Sequence, residues 1–195
     1  MTERRILRPG DTGVNPYSLL TALVVPRPIA WVATRDRDGV GNLAPHSFFT
    51  VASHRPPIIA FTSIGVKDTL RNILATREFT VSLVSEDLMV TANDTSAGFG
   101  PEVDEAEHVG LAMAPSSVVA PPFVAASPAA LECRLHTTVG FGASTMIFGE
   151  VVAFSVDDDV LDGEHPDFAR LRPVSRLGRD EWGLPPEVTR RARPD

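Results

Sequence analysis

Ala129-Ala130-Leu131-Glu132-Cys133-Arg134-Leu135-His136-Thr137-Thr138-Val139 and Met146-Ile147-Phe148-Gly149-Glu150-Val151-Val152-Ala153-Phe154-Ser155-Val156 are two long runs of apolar and β-branched residues. Between them lie Gly140, Gly142, Ser144 and Thr145, residues that favour a turn. Two such runs around a short turn predict a β-hairpin. Asp157-Asp158-Asp159 ends its second strand. A hairpin of this length sets the class of the second half as β.

The first half predicts shorter elements. Asn15-Pro16 opens a helix, because Asn caps well and Pro suits the first turn. Tyr17–Leu23 continues it and Pro26-Arg27-Pro28 ends it. Ile29–Thr34 reads as a strand, and Asp36-Arg37-Asp38-Gly39 as a hairpin turn. The return strand is Gly41–Thr50, in which Pro45 demands an edge position or a bulge. Ile58–Ser63 is a short apolar strand between Pro56-Pro57 and Gly65. Lys67–Leu74 is helical, with Leu70, Ile73 and Leu74 on one face. Phe79–Val84 alternates with period two, a half-buried strand, and Glu86–Asn93 is a second short helix. Residues 94–110 are a Gly-, Pro- and acid-rich loop, long enough to be functional or mobile. Helices are few and do not alternate regularly with strands. The expected architecture is therefore mainly β with a few helices, a closed antiparallel barrel. Residues 1–14 read as a polar arm, 15–184 as one domain, and 185–195, with the Arg190-Arg191-Ala192-Arg193 cluster, as a polar tail.

Composition narrows the function. The 195 residues, 43% apolar and 22% charged, suit one globular domain. The 18 basic and 25 acidic residues leave a net charge of −7, which argues against nucleic acid, whose binding rests on neutralising phosphates. No window approaches a membrane span, and the charged start Met1-Thr2-Glu3-Arg4-Arg5 lacks the apolar core of a secretion signal. A cytoplasmic protein with no membrane partner is expected. The 17 prolines and 14 glycines favour many short elements joined by turns.

No metal site is expected. His46, His54, His108, His136 and His165 are widely spaced, and Asp104-Glu105-Ala106-Glu107-His108 reads as a solvated stretch of the acidic loop. Cys133, the only cysteine, reads as a half-buried structural thiol. Gly140-Phe141-Gly142-Ala143-Ser144 lacks the third glycine of a dinucleotide fingerprint and is followed by β-type sequence, so a hairpin turn is expected. Two segments remain. Ser63-Ile64-Gly65-Val66-Lys67-Asp68-Thr69 runs from a strand through a glycine turn into a helix. That helix start offers free N–H groups, hydroxyls and the chain's only lysine to a terminal phosphate. The same pattern also fits ordinary capping by Asp68 or Thr69, with Lys67 in water. Asn42-Leu43-Ala44-Pro45-His46-Ser47 places polar groups and a proline in a core-bound strand. It fits an edge bulge, or backbone donors and Ser47 meeting a polar planar ligand.

Together these segments resemble the flavin reductase-like, FMN-binding split-barrel family. The likeness runs in order through Pro26–Thr34, Asn42–Phe49, Lys67–Asn72, Ser96-Ala97 with Val103-Asp104-Glu105, Ser127–Cys133, Gly149–Val152 and Pro173–Gly178. It implies a Greek-key split β-barrel that forms a homodimer, with flavin near the subunit interface. By this resemblance Thr34, Asn42, Ala44, Pro45, Ser47 and Phe48 border the isoalloxazine and ribityl chain. Ser63, Lys67, Asp68 and Thr69 lie at the phosphate end. Arg176 and Trp182 match the family's C-terminal motif less closely, since a tyrosine often stands where Trp182 does. The implied activity is hydride transfer from NADH or NADPH to FMN, with no protein acid–base pair because the flavin carries the chemistry. Reduced flavin would serve a separate monooxygenase. The alternative is a non-catalytic electron carrier of the flavoredoxin type. A barrel holding another planar ligand, pyridoxal phosphate or haem, is a third reading.

Overall fold

A computed structural model describes residues 3–192 and 194. Arg193 of the C-terminal arginine cluster, with residues 1, 2 and 195 of the expected arm and tail, lies outside the described residues. Seven strands form one antiparallel sheet: β1 (Ala30–Arg35), β2 (Gly41–His46), β3 (Phe49–His54), β4 (Pro57–Ile64), β5 (Glu78–Leu83), β6 (Ala129–Phe141) and β7 (Ser144–Val156). Their spatial order is β2-β1-β5-β6-β7-β4-β3. β4 leaves the sheet through a helix and its successors β5, β6 and β7 return to its side, a Greek-key connection. The two edge strands, β2 and β3, are consecutive in sequence. The Ser47–Phe48 bend joins them, and Thr62 N–H donates to Phe48 O at 2.9 Å. The sheet thus curls until its own chain bridges the gap between its edges.

The long hairpin forms where the sequence predicts one, from Ser144↔Phe141 to Val156↔Ala129 with two register shifts. Gly140, Ser144 and Thr145, expected in the turn, instead pair within the strands and leave Gly142 (φ +60°) and Ala143 to make it. The β1–β2 pairing runs without a register shift through Trp31↔Pro45. Pro45 therefore takes the edge position and not a bulge, and no ladder bond is lost, because it sits where backbone N–H groups point away from β1. The expected strand 41–50 is broken at Ser47–Phe48 into β2 and β3.

Helix α1 (Pro16–Leu23) starts at Asn15, whose side chain accepts from Ser18 N. Helix α2 (Asp68–Thr76) ends at Arg77 in a left-handed conformation, φ +68°. Helix α3 (Met89–Asp94) follows a short 3-10 turn at Glu86–Leu88. Two cores result. Val32, Phe61, Phe79, Cys133 and Ile147 fill the barrel, with Leu70 and Ile73 of α2 packed on them. Trp31, Leu43, Val84 and Ala92 form a second core outside it. This alternation along β1 explains why Ala30–Thr34 are buried on both faces, with only Arg35 at its end exposed.

Three expectations change. β5 is buried on both faces. Its apolar face enters the barrel. Its polar face is covered by segment 115–124, where Thr80 Oγ1 donates to Pro122 O and Ser82 Oγ accepts from Val124 N. Cys133 is fully buried, not half-buried, for the same two-sided reason, and burial pushes its thiol up well above the ordinary range. Asp104–His108 is not a solvated loop. Asp104 caps a short helix, α4 (Glu105–His108), by accepting from the Ala106 and Glu107 amides, and this turns Glu105 and Ala106 inward. Among the described residues no helix is long and apolar enough to cross a membrane.

Candidate functional site

The two sheet edges meet beside a cavity of about 470 Å³, within the size range of small-molecule sites. β2 supplies Asn42, Ala44, Pro45 and His46, and the Ser47–Phe48 bend extends that wall. The end of β4 and the start of α2 supply Thr62, Ile64 and Val66–Thr69. Tyr17 of α1, segment 95–99 and Glu105 complete it.

Eight of the ten residues singled out in the sequence converge here: Asn42, Ala44, Pro45, Ser47, Phe48, Lys67, Asp68 and Thr69. Thr34 and Ser63 do not. Thr34 is 1% exposed, and its Oγ1 accepts from Asn72 Nδ2 at 3.1 Å, tying α2 to β1. Ser63 is fully buried and donates to Gly65 O at 3.1 Å, shaping the turn before α2. Both support the wall from behind. A period-two reading cannot tell this, because facing the barrel and facing the cavity look alike in sequence.

The start of α2 is the most telling feature. Lys67 occupies the N-cap position with extended backbone and no side-chain cap. The ordinary-capping explanation therefore fails, and the first-turn amides have no side-chain acceptor. Asn42 Nδ2 donates to Thr69 Oγ1 at 3.0 Å, which leaves the Thr69 proton free to be donated. Asp68, an awkward neighbour for an anion, is ion-paired with Arg71. Lys67 is exposed at the rim.

Two buried titratable groups lie in the same wall. His46 is 9% exposed, with its ring against Phe61 at 4.8 Å between centroids and its Nε2 without a hydrogen-bond partner. Burial lowers its pKa to about 4; a backbone bond at Thr62 opposes this and the Lys67 charge adds to it. Glu105 Oε2 accepts from Leu43 N at 2.8 Å, which seals one outward amide of edge strand β2. Pro45 has no amide at the next outward position, so the strand's own backbone offers the cavity no donor at either. Burial pushes the Glu105 carboxyl up, the Leu43 bond partly offsets this, and Asp104 and Asp68 add to the rise.

Sequence reading missed Tyr17, His46, Arg71, Thr95, Phe99 and Glu105 as cavity residues. One signal was present: Asp104 before Glu105-Ala106 is an N-cap pattern, which would have turned that acidic stretch into a helix with a buried face. The segment 95–99 is anchored by Thr95, whose Oγ1 accepts from Trp31 Nε1 at 2.9 Å and donates to Ala92 O at 3.0 Å. A recess of about 190 Å³ shares Pro45, Ser47 and Ser96 with the cavity, and there the Arg176 guanidinium lies 4.9 Å from the Trp182 ring centre. No group of three His, Cys, Asp or Glu side chains is placed to hold a metal among the described residues.

Comparison with known proteins agrees with this geometry. An uncharacterized protein of Deinococcus radiodurans is 47% identical over 174 residues, covering 83% of this chain and 77% of the relative. The crystal structure of nitrilotriacetate monooxygenase component B from Bacillus cereus matches with a TM-score of 0.89 and 28% identity, covering 96% of this chain and all of that one. The 2-nitrobenzoate 2-nitroreductase NbaA of Pseudomonas fluorescens matches with a TM-score of 0.88 and 30% identity, covering 96% of each chain. The flavin reductase-like domain model matches residues 22–170, which span the barrel and most of the cavity wall, and the chain belongs to that family.

Proposed function

We propose that the cavity holds FMN and that the protein is an NAD(P)H-dependent flavin reductase. The observation that carries this is the uncapped start of α2, with the chain's only lysine, at one part of a cavity that Asn42–Phe48 also walls. The residues present fit FMN. The α2 amides, Lys67 and the Thr69 hydroxyl would take the phosphate, since a helix start favours an anion. Ala44, Pro45 and Phe48 offer apolar surface to the ring and ribityl chain, and Asn42 and Ser47 offer polar contacts, while Thr34 and Ser63 hold this shell in place. When bound, the flavin supplies hydride transfer. The protein's part is to hold flavin and nicotinamide close and aligned and to exclude water.

The assembly proposed is a homodimer that completes the open side of the cavity. Helix α1 supports it: the helix buries only Thr21 and exposes Tyr17, Leu20 and Leu23, an apolar face that a monomer leaves in water. Likeness to component B of a monooxygenase supports delivery of reduced flavin to a separate oxygenase. The test is to mix the purified protein with FMN and NADH or NADPH and follow nicotinamide absorbance. Flavin-dependent oxidation of one nucleotide is expected. Tight FMN binding without nicotinamide oxidation would refute the reductase and favour a carrier. Failure to bind FMN would refute both.

A further inference from the structure

Arg27 lies between α1 and the cavity, on neither the α2 phosphate site nor any ion pair found among the described residues. It is 7% exposed. A buried charge without a counter-ion is costly unless its hydrogen bonds are met. Arg27 meets them from three directions. Nη1 donates to Thr21 O and to Val24 O, the latter at 2.9 Å; these are carbonyls of the last turn and C-cap of α1, the negative end of that helix. Nη2 donates to Leu177 O at 2.7 Å, next to Arg176. Nε makes a long contact of 3.5 Å to Ser47 Oγ, and the guanidinium carbon lies 5.9 Å from the Phe48 ring centre. Phe48 in turn lies 6.4 Å from the Tyr17 ring of α1. One planar fork therefore ties α1, the C-terminal segment and the Ser47–Phe48 bend together, and Tyr17, Ser47 and Phe48 all line the cavity. Lysine has no such fork.

We propose that Arg27 is the positioning residue of the flavin pocket. It fixes the Ser47–Phe48 wall against α1 and sets a positive charge, paired with no carboxylate, directly behind that wall. The inference rests on the FMN reading above. A charge in that place favours a ligand ring that becomes anionic on reduction. It thus acts on the ratio of reduced- to oxidised-flavin affinity as well as on the pocket's shape.

The test compares the wild-type full chain with Arg27→Lys, Arg27→Met and Ser47→Ala. Each is checked for folding by far-UV circular dichroism, then measured for FMN dissociation constant and for the midpoint potential of bound flavin. Arg27→Met is expected to weaken FMN binding at least tenfold. It is also expected to lower the reduced-to-oxidised affinity ratio about tenfold, which is about 30 mV for a two-electron couple. Arg27→Lys keeps the charge and is expected to hold the potential near wild type while losing affinity. Ser47→Ala is expected to weaken binding with the potential unchanged. If Arg27→Met does not fold, a wild-type affinity in Arg27→Lys overturns the proposal, and a loss there with the potential held near wild type supports it. Folded Arg27→Met with wild-type affinity and potential overturns it outright. No FMN binding by the wild type instead overturns the FMN reading, and this inference with it.

Discussion

Acidification should reveal His46. Its folded pKa is lowered to about 4 from an ordinary 6.5, because the neutral ring is packed against Phe61 out of contact with water. The unfolded chain therefore binds a proton between those values that the folded chain does not. The neutral imidazole's contribution is complete above pH 6.5 and is lost as pH falls toward 4. The full difference corresponds to about 3 kcal/mol, and between pH 7.5 and 5.0 the loss is about 2 kcal/mol. Urea unfolding of flavin-free protein at these two pH values gives the loss directly. Other groups titrate too: Glu105 shifts the opposite way and Glu132 the same way. The difference between wild type and His46→Leu isolates the histidine. Leucine fills nearly the same volume without a titrating atom or an unpartnered Nε2, so at pH 7.5 the variant should lie within about 1.5 kcal/mol of wild type. On acidification it should lose about 2 kcal/mol less. Equal losses in the two proteins, or a nuclear magnetic resonance titration placing His46 near 6.5, would refute the reasoning.

Further outcomes follow from single contacts. Lys67→Ala should weaken FMN binding by about 1–3 kcal/mol, the usual loss for a hydrogen bond to a charged group, read by flavin fluorescence titration. Glu132 is 1% exposed and accepts from the Ser117, Val118 and Val119 amides. Burial disfavours its charge, but these bonds together outweigh that and hold the carboxyl below its usual range. Glu132→Gln removes the oxygen shared by two of them and should cost about 2–3 kcal/mol in urea unfolding at neutral pH. That difference should shrink as acid protonates the wild-type carboxylate. Gly149 faces the buried Phe79 ring with no room for a Cβ, so Gly149→Ala should destabilise the barrel by about 1–3 kcal/mol in the same assay. An unchanged unfolding midpoint in either variant would contradict the packing described.

The chain's local chemistry determined a good deal alone. The β6–β7 hairpin, the Asn15 cap and the glycine turn before α2 follow from propensity and steric rules that act over a few residues, which also confined Pro45 to an edge or a bulge. Those rules, with the resemblance, also named eight residues of the cavity wall. Tertiary structure alone decided the rest. Thr34 and Ser63 turn out to support the wall, because only packing shows which inward-facing hydroxyls are already bonded to Asn72 and Gly65. Glu105 comes inside because Leu43, far away in sequence, has an edge amide to satisfy. Arg27 becomes a hub because two segments distant in the chain bring it the Ser47 hydroxyl and the Leu177 carbonyl, beside the nearby carbonyls of α1. The reason is the same in each case: burial and hydrogen-bond satisfaction are properties of neighbours in space, and sequence spacing reports only neighbours along the chain.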